Sequence, residues 1–389
     1  MSQDKRDYQL FNPKRFKEAR IVRGLSIVEL ANEIGVSKQA ISQYELGESV
    51  PRASTMMSIV NILGFPKNFF YKEFKEQYVG NTFFRASNSA TKKLREIQYT
   101  KAQFVSYIYK YLENFIDFPS LNLPDTTKFN GFMWNRNEIE QLANDVREYW
   151  GLAEQPIGNV VNLMERNGIL VCSFDMGARN MDAFCQPRQG RPLIALGNDK
   201  QSAARRQFDG AHELGHLLMH KDEIYNQDNL TKEEFGKMEE QANRFASAFL
   251  LPSKAFADSV TSSSLDSYIE LKKYWRVSIG AMLYRSRDLG IITDSRYTSL
   301  VKQMSMKKIR VKEPLDDLLP VPQPQILRRS VEMLIENDVK SEQQLLQEVG
   351  MSGEMIEMLC GLDKGRLDFK DVEHKLSLII NNDEENHVC

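Results

Sequence analysis

Cysteine is scarce. Cys172, Cys185, Cys360 and Cys389 are the only four among 389 residues, and none stands in CxxC spacing. That argues against a disulfide framework or a cysteine-built zinc site, and it suits a reducing cytoplasm. Long apolar runs are also missing, and none approaches the ~20 residues of a membrane span. The opening MSQDKRDYQLFNPKRF lacks the apolar stretch of a secretory signal. A cytoplasmic protein with no membrane partner is therefore expected. There is no excess charge of either sign: 51 Lys and Arg against 53 Asp and Glu leave a formal net charge of −2. Binding of nucleic acid by bulk charge is excluded, and only a local basic face could do it. Histidine is rare too, with five in the chain, and three of these crowd into AHELGHLLMH at 211–220.

What is present suits two or three folded domains, because 42% of the residues are hydrophobic. Basic residues gather early, at Lys5, Arg6, Lys14, Arg15, Lys17, Arg20 and Arg23, against Asp7 and Glu18. Residues 11–70 read as four or five short helices. NPKRFKEARIVRG places Phe16, Ala19 and Val22 near one face and stops at Gly24. LSIVELANEIG starts at a Ser26 cap and ends at Gly35, and VSKQAISQYELG starts at a Ser37 cap and ends at Gly47. This order of cap, helix, glycine, cap, helix is what a tight helix-turn-helix requires, with Ala31 small enough for a close crossing. Leu30-Ala31, Gly35-Val36-Ser37, Ile41-Ser42 and Tyr44-Glu45 resemble the phage-repressor-like XRE family. Ile27 stands where that family often carries a phosphate-contacting Gln. The resemblance implies that the second helix of the motif enters the major groove of double-stranded operator DNA. Its early residues Lys38, Gln39, Ser42 and Gln43 would meet base edges. A single such module binds weakly, so a homodimer on two half-sites is expected.

Residues 81–118 read as a short extended piece followed by a long helix. PSLNLPDTTKFNG then suggests a boundary. Beyond it ILVCSF, MDAFCQ and PLIALG read as strands, and PLIALG leads into a helix capped by Ser202 that carries the histidines. His212 and His216 are four apart and share a helical face, so both rings can reach one zinc ion. Glu213 beside them can reach a water at the same place and act as general base. His220 cannot join them, because eight residues span about 12 Å of helix. It is expected as a supporting or surface residue. A third ligand is sought in KMEEQANRFASAFLLP, an amphipathic helix with Ala242, Phe245, Ala246, Phe249 and Leu250 inward. Glu239 shares a face with Ala242, Asn243 and Ala246 and is preferred, with Glu240 as the alternate.

RRQFDGAHELGHLLMH followed by EEQANRFASAFLLP resembles the ImmA/IrrE family of metallopeptidases, and YWRVSIGAMLYRSRDLGII resembles the helical close of its domain. In that family the glutamate of the E-x-x-A-N run is the third ligand, which agrees with Glu239. The resemblance implies a Zn2+ site, with another divalent cation such as Mn2+ as the alternative, and Glu213 as the catalytic base. FDGAHE departs from the family's usual approach to its motif, and Asp209-Gly210 are expected to loosen the helix there. PLIALG is expected to pair with an extended substrate, and Tyr284 and Arg285 are candidate transition-state donors.

The expected fold is α+β and mainly helical. It comprises an all-α helix-turn-helix domain (1–80), a linker helix and hinge (81–130), a zincin-like metallopeptidase domain with a small sheet (131–300), and a Pro-rich linker with a small helical C-terminal region (301–389). The tail NNDEENHVC is expected to be disordered. The first expectation for function is a DNA-binding transcriptional regulator whose zinc peptidase cleaves a partner repressor, another regulatory protein, or itself, in response to a signal such as stress. Two alternatives stand beside it. One is a non-catalytic transcription factor with a structural or ligand-sensing metal site, and the other is an antitoxin-like interaction protein.

Overall fold

Side-chain caps supplied by Asn12, Ser26 and Ser37 start the first three helices of the N-terminal segment. The computed structural model describes residues 11–73, 79, 82–84, 91–126, 134–177, 181–188, 190–199, 202–220 and 230–367. Lys5, Arg6, His374, His387 and the NNDEENHVC tail lie outside the described residues. Helices α1 (Pro13–Val22), α2 (Ile27–Ile34), α3 (Lys38–Leu46) and α4 (Ala53–Leu63) are followed by a 3-10 turn at Lys67–Tyr71. Ser26 caps α2 in a reciprocal box with Glu29, and Ser37 caps α3. The fourth helix opens at Ala53, two residues past Pro51.

A two-residue strand β1 (Phe83–Phe84) precedes the long helix α5 (Lys92–Leu112). The middle of the chain then gives α6 (Arg136–Tyr149), α7 (Val160–Arg166), β2 (Leu170–Phe174), β3 (Ala183–Gln186), β4 (Leu193–Gly197), α8 (Ala203–Met219) and α9 (Lys232–Leu250). Helices α10 (Ser253–Ser259), α11 (Leu265–Trp275), α12 (Ile279–Asp288) and α13 (Asp294–Met306) complete it. After the proline-rich stretch come α14 (Ile326–Glu336), α15 (Glu342–Val349) and α16 (Gly353–Cys360).

The sheet has the order β1-β3-β4-β2, with β2 parallel to β4 and the other two pairings antiparallel. This arrangement overturns one expectation. PLIALG forms β4, an interior strand hydrogen-bonded on both sides, so it has no free edge for a substrate.

Both faces of the sheet are buried, and alternate side chains join different cores. Val171, Ala183, Cys185, Ile194 and Leu196 point into a core shared with α6, α8, α9 and α11–α13. Leu170, Cys172, Phe174, Phe184, Leu193 and Ala195 point into a second core, which contains α5, α14–α16 and the helix-turn-helix. The N-terminal and C-terminal segments meet directly there. Asn68 Nδ2 donates to the Gln347 carbonyl at 2.9 Å, and the Tyr111 hydroxyl donates to Glu348 at 2.9 Å.

Candidate metal centre and nucleic-acid interface

Helix α8 runs unbroken from Ala203 to Met219, capped by Ser202. The Asp209-Gly210 pair does not loosen it. A Cβ at Gly210 would sit 3.1 Å from both Met164 Cε and Val160 Cγ1, so the glycine lets α7 lie close against α8. Polar residues fix the N-terminal end of α8. Arg206 donates to Ser173 Oγ and to the Gly197 carbonyl at the strand termini, each at 2.8 Å. Gln207 accepts from the Val160 amide at 2.6 Å and donates to the Ile157 carbonyl at 2.7 Å. One further glycine decides how near α9 can come: a Cβ at Gly215 would lie 3.0 Å from Phe245 Cδ1.

That close crossing brings the chemistry together. His212 Nε2 and His216 Nε2 are 3.1 Å apart. Glu239 Oε2 lies 3.5 Å from the first, and Glu239 Oε1 lies 3.2 Å from the second. These three residues form a group whose ligand atoms all fall within 4.8 Å of one another. A tetrahedral ion with bonds of ~2.0–2.1 Å would hold its donors about 3.3 Å apart. The spacing therefore fits a divalent cation.

The second ring nitrogens sharpen the case. His212 Nδ1 faces Asn243 Oδ1 at 3.0 Å, an acceptor, so Nδ1 carries the proton and Nε2 is bare. For His216 the order is set from farther away. Gln241 Nε2 donates to the Trp134 carbonyl at 3.2 Å, which turns its Oε1 toward His220 Nε2 at 2.9 Å. His220 therefore donates from Nε2 and accepts at Nδ1, 2.8 Å from His216 Nδ1. His216 in turn donates from Nδ1 and keeps Nε2 bare. Two bare nitrogens and a carboxylate converging at contact distance repel one another unless a cation lies between them.

His220 is pushed down to about 3 by burial and then by its neighbour His216, so it stays neutral. It is wholly buried and is a support for His216.

Glu213 is wholly buried, with the Cys185 thiol on β3 close by. Burial, then the nearby Glu213 charge, pushes Cys185 well above the usual thiol range, so the thiol stays neutral. Asn243, Gln241, Trp134 and Cys185 were not singled out from the sequence as site residues. Asn243 alone left a trace there, standing four residues after Glu239 on the same helical face. The two candidate donors are committed elsewhere. Arg285 is buried against Glu140 and the Leu251 carbonyl. Tyr284 is partly exposed, with the Arg287 guanidinium 4.8 Å over its ring.

At the other end of the chain, α3 leaves Lys38, Gln39 and Gln43 exposed and Ser42 half-buried. The basic cluster ahead of it is largely structural. Arg15 is buried, 2.6 Å from Glu18 and 4.0 Å over the Tyr107 ring. Arg20 pairs with Glu45, tying α1 to α3. Arg23 donates to the Leu63 carbonyl at 2.6 Å. Lys14 and Lys17 are the exposed members among the described residues.

Comparison with known proteins agrees with this division. Residues 16–70 match the helix-turn-helix family, and residues 164–287 match the peptidase family described as the IrrE N-terminal-like domain. The SPbeta prophage-derived uncharacterized HTH-type transcriptional regulator YonR of Bacillus subtilis is 31% identical over 65 residues, 17% of this chain and 60% of its own length. A Mycobacterium tuberculosis transcriptional regulator of known structure aligns over 48% of this chain and 51% of its own. It is 19% identical with a TM-score of 0.30, too low to argue a shared fold. The chain thus spans only about half to three-fifths of these relatives.

Proposed function

We propose that this chain, which joins a helix-turn-helix domain to an IrrE-type peptidase domain, is a DNA-binding regulator that hydrolyses a peptide bond. The substrate would be a partner repressor, another regulatory protein, or the chain itself. One observation carries the reading: the bare Nε2 atoms of His212 and His216 converge with Glu239, on the helix that also bears Glu213.

His212, His216 and Glu239 would hold Zn2+, or Mn2+ as the alternative. The cation, when bound, supplies Lewis acidity toward the scissile carbonyl and toward water. Glu213 takes the proton from the attacking water and returns it to the leaving amine. Cys185 on β3 lies beside the Glu213 carboxylate. Asn243 and His220 hold the two imidazoles in the tautomer that leaves Nε2 free.

The test is Glu213→Gln. Metal content measured by mass spectrometry should stay at one ion per chain, while cleavage of regulators encoded nearby is lost. A wild-type protein that holds metal yet cleaves none of them would favour a sensing site. A wild-type protein without metal would sink both readings.

At the N-terminus, Lys38, Gln39, Ser42 and Gln43 would read operator DNA as a homodimer. Gln39→Ala should relax preference at one base position, at a cost of about 1–3 kcal/mol, in binding assays across operator variants. An unchanged footprint at low and high salt would remove Gln39 from base reading.

A further inference from the structure

Strand β3 packs on the helix that carries the metal ligands, since Ala183 and Cys185 share a core with Ala211 and Leu214 of α8. On one side it pairs with β4. Its other side would be an open edge, the kind of edge that accepts an extended peptide by strand addition. The edge is not open, because the chain's own segment lies on it. Phe83 pairs with Cys185 and Phe84 with Phe184, antiparallel, and Val79 bridges Arg188 farther along. Phe83, paired with Cys185, thus lies one strand away from the metal-bearing helix.

Side chains of β3 and its flank fasten this segment. Gln186 is wholly buried and donates from Nε2 to Thr82 Oγ1 at 3.0 Å. Its Oε1 accepts from Arg188 Nε at 3.1 Å, and Arg188 Nη1 donates to Ser106 Oγ on α5 at 2.6 Å. The ladder itself is only two residues long, so a longer peptide could outcompete it.

We propose that Val79 and Thr82 to Phe84 are an internal occupant of the substrate edge. A protein substrate would bind as an extended strand antiparallel to β3 only after displacing them. This rests on the peptidase reading above and adds a regulatory element to it. Val79 follows Lys72 by seven positions in the chain, and the Lys72 carbonyl accepts from Asn12 Nδ2 at 2.9 Å. Occupancy of the edge is thereby tethered to the DNA-binding end of the chain.

The test uses the full chain and a fluorescein-labelled peptide carrying the sequence of residues 77–86 as the probe. Two variants bracket the wild type. Phe83→Pro weakens the internal ladder. The pair Thr82→Cys and Gln186→Cys locks it with a cross-strand disulfide when oxidised. Anisotropy should show the peptide binding at least tenfold more tightly to Phe83→Pro than to wild type. It should not bind the oxidised double variant, and it should bind again once a phosphine reductant is added.

Equal affinity for the oxidised and reduced double variant would overturn the proposal. That comparison lies within one folded protein, so it decides even if Phe83→Pro misfolds. The readout is binding and needs no turnover. A chain that exchanges the peptide but cleaves nothing would refute the peptidase reading alone. A chain that cleaves its substrate equally well when locked would refute the occupant alone.

Discussion

At the scale of single residues, His220 shows how a side chain can matter to a metal without touching it. Its ring stands between His216 and Gln241 and passes on a proton order that ends in a bare His216 Nε2. His220→Ala should weaken zinc binding about 10- to 100-fold, read by competition with a chelator, while the circular dichroism spectrum is unchanged. Retained affinity would mean that His216 needs no such support. The HExxH spacing itself was legible, since four residues make one helical turn. The role of His220 was not, because helix rise says only that it cannot be a third ligand. What it does instead depends on Gln241, which arrives from another helix.

At the scale of elements, the site is made by two helices approaching at Gly215. Gly215→Val would put extra carbons into Phe245, which already lies 3.0 Å from where a Cβ would stand. Overpacking of this kind should cost about 1–3 kcal/mol in chemical denaturation and lower metal affinity, and Phe245→Leu should restore part of both. A second contact between elements is sensitive to pH. Glu165 on α7 accepts from the Gln325 and Ile326 amides at the start of α14, at 3.0–3.1 Å. Burial raises its carboxyl to about 7, against the opposing pull of those amides.

The native state thus holds this proton at pH values where the unfolded chain, near the ordinary 4.5, has released it. The contribution of Glu165 to stability is therefore greatest at low pH and falls as pH rises from about 4.5 to 7. Glu165→Gln should flatten the pH dependence of the melting temperature across that window. A variant curve parallel to wild type would show that the proton is not held there. The Ser26, Ser37 and Ser202 caps and the three strands themselves were all readable in the sequence, being local. The order of the strands was not, and β4 proved to be interior.

At the scale of the whole molecule, the sheet is shared by two cores, and the second unites segments from both ends of the chain. Ile356 on α16 is wholly buried in the core that also holds Phe16, Leu30 and Ile41. Ile356→Ala should cost about 2–5 kcal/mol. Hydrogen exchange should quicken in the helix-turn-helix as well as in the C-terminal helices. Loss of protection confined to the C-terminal helices would show that the shared core does not couple them.

The sequence by itself determined what depends on near neighbours: the helix-turn-helix with its caps, the paired histidines one turn apart, and the glutamate on an amphipathic partner helix. Only the tertiary structure decided that Arg15, Arg20 and Arg23 brace the N-terminal helices internally. It alone placed Gly210 at a helix contact and put a linker segment on the edge beside Glu213. Each of these rests on pairs of residues far apart in the chain. Their proximity follows from how the helices and the sheet bury one another, and no local periodicity records it.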